Sequence, residues 1–375
     1  MGGADRAGRL VRRASLTLAR PEDPRADSPF AVRGNVQGRD RRLVLVIPFF
    51  NGSQVRAAVS PERALDAVRD AFAAYARGEW TMPPKVYVPA YPEGDFRAMP
   101  ALGGGHALLK WVTSFPGNPA HGLPTVTGLV LLSDASNGMP VAVLDAGAVT
   151  ALRTGAAAVL AAETLGRADA ESAAVIGAGV NGEAVARTFV ARGRDVQLWD
   201  VDPARARSVA ETIGAEVAAS REAALASYVV VTVTPGREIV LGPGSLKPGQ
   251  HASLMGADGP GKAEISVEEL ARVRIFCDDW EQVGPNGTPG RGRIYADDWE
   301  QASHNGDLVH AVEAGVLARD DVAQLGDVLI STAEGRQSDR DITIFDSTGL
   351  AIQDLAIALA ALERAEDLDV LQLDL

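Results

Sequence analysis

The glycine-rich segment AVIGAGVNG at residues 174–182 constrains the fold of this chain more than any other feature. It places Gly177, Gly179 and Gly182 in a G-x-G-x-x-G pattern, directly after a predicted strand and before a predicted helix. In that context the glycines permit a tight turn and a close backbone approach, and the helix N-terminus faces a pyrophosphate. The pattern predicts a dinucleotide-binding turn. The alternative is a glycine turn in an α/β protein that binds no nucleotide.

Asp200 ends the next predicted strand, VQLWD, 23 residues after Gly177. A carboxylate at that position accepts hydrogen bonds from a ribose 2′-hydroxyl and repels a 2′-phosphate. We therefore expect the cofactor to be NAD rather than NADP.

The pattern of predicted elements indicates an α/β protein with two sheets. A helix begins at Ser60-Pro61-Glu62 and packs beside an antiparallel sheet, and a doubly wound parallel sheet follows, because its strands alternate with helices. The antiparallel strands are predicted at 85–91, 96–100, 107–113, 127–133 and 140–145, and the parallel strands at 173–176, 196–199, 228–233, 251–255 and 274–277. An Ala-rich helix to Leu165 lies between the two groups, and a last strand at 342–347 precedes a helix at 349–365.

Composition excludes several classes of protein. The net charge of -13 argues against a nucleic-acid partner, and the longest clean apolar stretch, residues 43–50, is too short to span a bilayer. One cysteine and five scattered histidines predict no metal site, and the lone cysteine favours a reducing, cytoplasmic setting. Residues 1–42 carry ten arginines against five acids and show no sustained periodicity, so we expect a largely disordered extension. The alternative is a targeting or partner-binding arm.

Lysine is rare here: only four of the 36 basic residues are lysines. Lys247 lies in a turn and is expected on the surface, whereas Lys85, Lys110 and Lys262 lie in motif-like segments. In the predicted strand Lys110 faces away from its apolar neighbours, which leaves two interpretations, a solvated sheet edge or an inward functional group. In an arginine-rich chain, a lysine suggests a place for a compact, titratable ammonium.

Three further residues are candidates on position and chemistry. Asp258 follows the predicted strand 251–255, at the strand end where α/β sheets bind ligands, and is either an acid–base group or an ordinary turn aspartate. Arg97 and Arg153 can hold an anion through a bidentate guanidinium.

Residues 274–301 contain a near-repeat, RIFCDDWEQ and RIYADDWEQ, at an offset of 19 residues. Because insertions in loops cost little, a tandem duplication on a surface loop explains it. The alternative is a lid or an interface.

Taken together, many motifs resemble those of the ornithine cyclodeaminase/μ-crystallin family, and within it the archaeal-type NAD-dependent alanine dehydrogenases. They are MPPKVY (82–87), GDFRAMP (94–100), LKWV (109–112), PGNPAHGLPTV (116–126), LRTGAA (152–157), GAGVNG (177–182), GADGPGK (256–262), DDWEQASHNGDL (297–308) and ITIFDSTGLAIQDLA (342–356).

The resemblance implies a division into domains. A Rossmann domain at 151–341 would bind NAD, and residues 43–150 with 342–375 would form a substrate domain whose sheet pairs two subunits into a homodimer. The extension at 1–42 lies outside the family pattern, and the repeat interrupts that pattern between the last predicted Rossmann strand and the DDWEQ segment.

The resemblance also implies residue roles. Arg97 and Lys110 would hold the substrate carboxylate, with Lys110 also exchanging a proton near the reacting carbon and Asp258 acting near the substrate nitrogen. Lys85 belongs to a matching motif and is assigned to the substrate. The positions that would line NAD, besides the three glycines and Asp200, are Thr125, Arg153, Val180, Asn181, Thr234, Lys262 and Ser347.

The expected reaction interconverts a small amino acid with its 2-imino or 2-keto acid by hydride transfer at Cα. Lys110, next to Arg97, should have a lowered pKa because like charges repel. Three alternatives remain: an ornithine-type cyclodeaminase that recycles NAD, a cyclic ketimine reductase, and a μ-crystallin-like binding protein without an enzymatic role.

Overall fold

The computed structural model describes residues 45–257, 259, 261–277, 306–318 and 321–374. The predicted extension at 1–42 lies outside the described residues. So does the 274–301 repeat, apart from the strand Arg274–Cys277.

Two sheets and ten α-helices account for most of the described chain. The strands are β1 (Val46–Phe50), β2 (Val86–Ala90), β3 (Gly94–Gly103), β4 (His106–Ser114), β5 (Val126–Asp134), β6 (Pro140–Asp145), β7 (Ser172–Ile176), β8 (Asp195–Trp199), β9 (Glu216–Val217), β10 (Val229–Thr232), β11 (His251–Leu254), β12 (Arg274–Cys277), β13 (Val322–Gln324), β14 (Thr343–Asp346) and β15 (Leu371–Asp374). The helices are α1 (Gly52–Ala58), α2 (Pro61–Ala76), α3 (Ala146–Leu165), α4 (Val180–Ala191), α5 (Pro203–Ile213), α6 (Arg221–Leu225), α7 (Val267–Leu270), α8 (Leu308–Glu313), α9 (Leu325–Leu329) and α10 (Ala351–Leu362).

The first sheet has seven strands in the order β15-β1-β6-β5-β4-β3-β2. Its neighbours pair antiparallel except β1 and β6, which run parallel. Helix α2 begins as predicted, because Ser60 caps it and Pro61 occupies its first turn. The antiparallel sheet predicted between residues 85 and 145 is confirmed.

The second sheet has eight strands in the order β13-β12-β14-β11-β10-β7-β8-β9, and all of its pairs are parallel. Strand order reverses beside β7, which has β8 on one side and β10 on the other. The glycine-rich segment follows β7, so it opens at the point where such sheets bind ligands. The predicted doubly wound parallel sheet is confirmed.

One assignment from sequence is wrong. The predicted strand at 342–347 was grouped with the antiparallel-sheet domain, but Thr343–Asp346 pairs in parallel with β11 and β12 inside the second sheet. All four of its residues are buried, so the strand carries no alternating pattern that identifies its sheet. The C-terminal helix α10, in contrast, packs on α2 and on the first sheet. The chain therefore leaves the parallel sheet at residue 347 and crosses toward the first sheet.

Helix α3 joins the two halves of the described molecule. It packs against α2, α4 and α10, and its residues belong to one hydrophobic core with side chains from both sheets. Among the described residues it is the one helix long and apolar enough to cross a bilayer, yet 72% of its most apolar window is buried inside the protein. Its composition is that of a core helix.

Candidate active site

The glycine-rich turn has the geometry of a cradle for a pyrophosphate. Gly177 has a φ of +105°, and a Cβ on Gly182 would overlap the carbonyl oxygen of Gly177. A Cβ on Gly179 would meet no atom within 4 Å, so the turn is open there. Gly179 also caps α4 without any side-chain hydrogen bond, which leaves the first amides of the helix facing that open side. This backbone fits a dinucleotide phosphate.

Asp200 lies at the end of β8 and supports the same turn. Its Oδ2 accepts a hydrogen bond from the amide of Ala178 at 2.7 Å, and its Oδ1 accepts one from the amide of Asp202 at 2.8 Å. The carboxylate therefore orders the turn and also places a negative charge beside it. A negative charge at this point opposes a 2′-phosphate, as the sequence predicted.

Lys110 points inward and is not a solvated edge residue. It is 1% exposed, whereas its neighbours Leu109 and Trp111 are exposed on the opposite face of β4. The Lys110 Nζ lies 2.6 Å from Oδ2 of Asp354 and 3.4 Å from the hydroxyl of Thr150. A fully buried ammonium requires a compensating partner, and the Asp354 carboxylate supplies it.

The pKa of Lys110 is lowered to about 8, chiefly because burial disfavours its charged form. Arg153 and Arg97 lower the pKa further, while Asp354 raises it. The lowered pKa predicted for Lys110 is confirmed in direction, but desolvation, and not repulsion from Arg97, is the larger cause.

Arg97 lies on β3 with its guanidinium buried. Its Nε and Nη2 donate to the two carboxylate oxygens of Asp95 at 2.6 and 3.2 Å, and its Cζ lies 5.3 Å from the centre of the Tyr87 ring. A Cβ built on Gly259 would lie 3.5 Å from Nη2 of Arg97. The segment that carries Asp258 therefore passes next to this guanidinium at Gly259, although Asp258 itself lies outside the described residues.

The loop that follows β14 brings two more predicted residues together. Lys85 donates from Nζ to the carbonyl oxygen of Thr348 at 2.6 Å. The Arg153 guanidinium lies against Gly349, where a Cβ would come within 2.6 Å of Nη1, and its Nε is 3.6 Å from Oδ1 of Asp354. Gly349 has a φ of +77°, so both backbone conformation and space require glycine there.

Glu264 is a buried residue that is not among the site residues predicted from the sequence. Its Oε1 accepts hydrogen bonds from the amide and hydroxyl of Thr234 at 2.8 and 2.6 Å, and its Oε2 accepts one from the amide of Gly256 at 2.8 Å. Burial raises the pKa of Glu264. These hydrogen bonds join the segment after β10, which carries Thr234, to the segment after β11, which leads to Asp258.

The remaining predicted cofactor residues divide into two groups. Val180 and Asn181 lie in the first turn of α4, Ser347 is buried directly after β14, and Lys262 lies beside Gly236 and Gly259 near the ends of the parallel strands. Thr125, in contrast, lies just before β5, where its carbonyl accepts a hydrogen bond from the Phe115 amide. This hydrogen bond joins the segments that flank β4 and β5 in the first sheet, and does not involve the glycine turn.

Comparison with known proteins identifies the family. A model of the ornithine cyclodeaminase/mu-crystallin family matches residues 49–369. The chain belongs to this family. The alanine dehydrogenase of Archaeoglobus fulgidus is 41% identical over 322 residues, which cover 83% of this chain and 93% of that protein.

Solved structures agree with this assignment. An archaeal alanine dehydrogenase dimer with bound NAD has a TM-score of 0.77 and 38% identity, covering 88% of this chain and 99% of that one. A Δ1-pyrroline-2-carboxylate reductase of Thermococcus litoralis, in complex with NADH and L-proline, has a TM-score of 0.76 and 26% identity. The match covers 86% of this chain and 99% of that one. Relatives at 31% and 30% identity are named ornithine cyclodeaminase and iminosuccinate reductase. The family therefore spans several reactions of amino acids and imines.

Proposed function

We propose that this protein is an NAD-dependent dehydrogenase of a small L-amino acid, of the alanine type, which also reduces the corresponding imine. The observation that carries the proposal is a cationic cluster, with Lys85, Arg97 and Lys110 buried and Arg153 partly buried, that meets the loop after β14 and the segment at Gly259. Bound NAD supplies a hydride acceptor in the oxidative direction and a hydride donor in the reductive one. The similarity to alanine dehydrogenases supports the choice of substrate class.

Arg97 and Lys110 would orient the substrate by its carboxylate. Both side chains are buried on the inward face of neighbouring strands, and each is held by its own carboxylate, Asp95 or Asp354. A guanidinium binds a carboxylate through a planar pair of N–H donors. Such orientation of the reacting carbon accounts for several kcal/mol of the barrier, about 7–11 at most.

Lys110 would also move protons, since its pKa of about 8 lies near neutrality. In the oxidative direction its neutral amine accepts a proton, either from the substrate nitrogen or from the water that attacks the imine. In the reductive direction its ammonium returns that proton. Asp258 would share this role near the substrate nitrogen.

The test is to mix purified protein, NAD and a panel of amino acids and to measure NADH by absorbance. Net NADH with a short amino acid, matched by keto acid and ammonia, supports the dehydrogenase. Formation of proline and ammonia from ornithine without net NADH would instead indicate a cyclodeaminase, a function that named relatives carry. Reduction of a cyclic imine alone would indicate a ketimine reductase. Tight NADH binding with no turnover would indicate a binding protein.

We further propose that the protein acts as a cytoplasmic homodimer, paired through the outer face of the first sheet. That face exposes alternating apolar side chains on three strands: Val86 and Val88 on β2, Leu109 and Trp111 on β4, and Leu129 and Leu131 on β5. Ala98 of β3 pairs with both Val86 and Trp111, so the intervening strand continues the face. A contiguous apolar patch of this kind marks a protein interface. The related archaeal alanine dehydrogenase is a dimer, which favours a second copy of this chain as the partner.

A further inference from the structure

Asp354 is a buried acid on α10 whose surroundings set it apart from most of the other buried acids. It is 0% exposed, and its carboxylate contacts two cations: Lys110 Nζ at 2.6 Å and Arg153 Nε at 3.6 Å. Among the described residues no hydrogen bond from a backbone amide reaches it.

Most of the other buried acids bind backbone amides, whereas Asp354 contacts side-chain cations. Five of the six in the described residues accept hydrogen bonds from pairs of backbone amides and so fix the chain: Asp200 from Ala178 and Asp202, Glu264 from Thr234 and Gly256, Glu269 from Gly244 and Leu246, Asp307 from Glu264 and Ile265, and Asp346 from Asp307 and Leu308. The sixth, Asp95, pairs with Arg97. Asp354 instead directs its charge at two predicted site cations. Its position therefore indicates an action on those side chains and not on the backbone.

We propose that Asp354 is the positioning residue that holds the Lys110 ammonium in the active site and sets the pH range over which Lys110 exchanges protons. The inference rests on the proposed role of Lys110. Among the described residues, the groups that act on the Lys110 Nζ are the Asp354 carboxylate from α10, Arg153 and the Thr150 hydroxyl from α3, and Arg97 from β3. Of these groups, Asp354 is the anion.

Removal of that anion has a definite consequence. Burial and the two arginines, which lower the pKa of Lys110, would remain, while the carboxylate that raises it would be lost. Loss of an opposite charge at this distance shifts a pKa by about 1–3 units. Lys110 would then be largely neutral at pH 8 and could no longer supply a proton in the reductive direction.

The experiment exploits the four lysines of the chain. Protein labelled with ¹³C at the lysine ε-carbon gives four NMR signals, and the Lys110 signal is assigned with a Lys110→Arg variant. Wild-type Lys110 is expected to titrate near pH 8. In Asp354→Asn its midpoint is expected to fall by about one unit or more. An unchanged or raised midpoint in Asp354→Asn overturns the proposal.

Two further variants keep the test decisive. Glu363→Gln removes an exposed acid that follows α10 and pairs with Arg63, and it should leave the Lys110 midpoint unchanged. Arg153→Gln is the second route if Asp354→Asn does not fold. It removes a like charge and leaves Asp354 paired with Lys110 alone, so the midpoint should rise. No rise there, or an equal shift in Glu363→Gln, would also overturn the proposal.

Turnover gives a second readout. For Asp354→Asn the protonated fraction of Lys110 at pH 8 should fall about fivefold or more, and imine reduction should fall with it. Amino-acid oxidation should instead begin at a lower pH, and Asp354→Glu should restore the wild-type profile. The NMR titration needs no substrate. If the wild type oxidises no amino acid, the proposed function fails while the titration still decides the role of Asp354.

Discussion

At the scale of single residues, the most informative feature is the almost complete burial of Lys110. Lys110 was singled out from sequence because lysine is rare in this chain and because its strand alternates. Its partner Asp354 was not found, since the two residues are far apart in sequence and no local pattern links them. Asp95 could have been found, because residues i and i+2 of a strand share a face and Asp95 lies two positions before Arg97.

The pKa of Lys110 leads to a prediction about pH. Its folded-state pKa of about 8 lies below the ordinary lysine value of 10.5. We expect the rate of amino-acid oxidation to rise with pH through about 8, as the amine becomes able to accept a proton. Imine reduction should fall over the same interval. Steady-state rates from pH 6 to 10 in both directions measure this, and parallel profiles would contradict it.

A substitution tests the same residue. Lys110→Ala should lower turnover by at least about 100-fold, as expected for the loss of an acid–base group, and should leave NADH binding intact. Lys247→Ala is the matched control, because Lys247 is exposed and its Nζ contacts the carbonyl oxygen of Gly244. Turnover and NADH fluorescence titration are compared for both. Near-normal turnover of Lys110→Ala would remove it from the mechanism.

At the scale of elements, periodicity located most helices and strands but not all of their partners. The predicted grouping of strand β14 with the first sheet is wrong because four consecutive buried residues are compatible with either sheet. Strands β1 and β15 were not predicted, and they pair the two ends of the described chain with each other. Such long-range pairing leaves no trace in local sequence. The glycine turn was predicted well, because its requirement is local.

That turn permits a prediction that separates folding from binding. Gly182→Ala should destabilise the protein by about 1–3 kcal/mol, since its methyl group overlaps the Gly177 carbonyl. The methyl group added in Gly179→Ala would meet open space. Without ligand, the melting temperature of this variant should therefore equal that of the wild type. The affinity of Gly179→Ala for NADH should fall by at least about tenfold, a loss of ~1.4 kcal/mol of binding free energy. Thermal unfolding with and without NADH distinguishes the two. Wild-type affinity in Gly179→Ala would argue against this cradle.

At the scale of the whole molecule, the proposed pairing through the outer face of the first sheet leads to a prediction about assembly. Trp111→Glu places a charge in the apolar patch on the face opposite Lys110. Light scattering should give twice the chain mass of 39.2 kDa for the wild type and a single chain mass for the variant. Val217→Glu changes an exposed apolar residue on the second sheet and should remain dimeric. A dimeric Trp111→Glu protein would place the interface elsewhere.

The most direct measurement of function is the stoichiometry of NADH, keto acid and ammonia formed from a short L-amino acid by the purified wild-type protein. Dehydrogenase chemistry, with Arg97 and Lys110 orienting the carboxylate, predicts equal amounts of the three products. The contrary result is ammonia released from ornithine with proline formed and no net NADH, which would make the same buried site that of a cyclodeaminase.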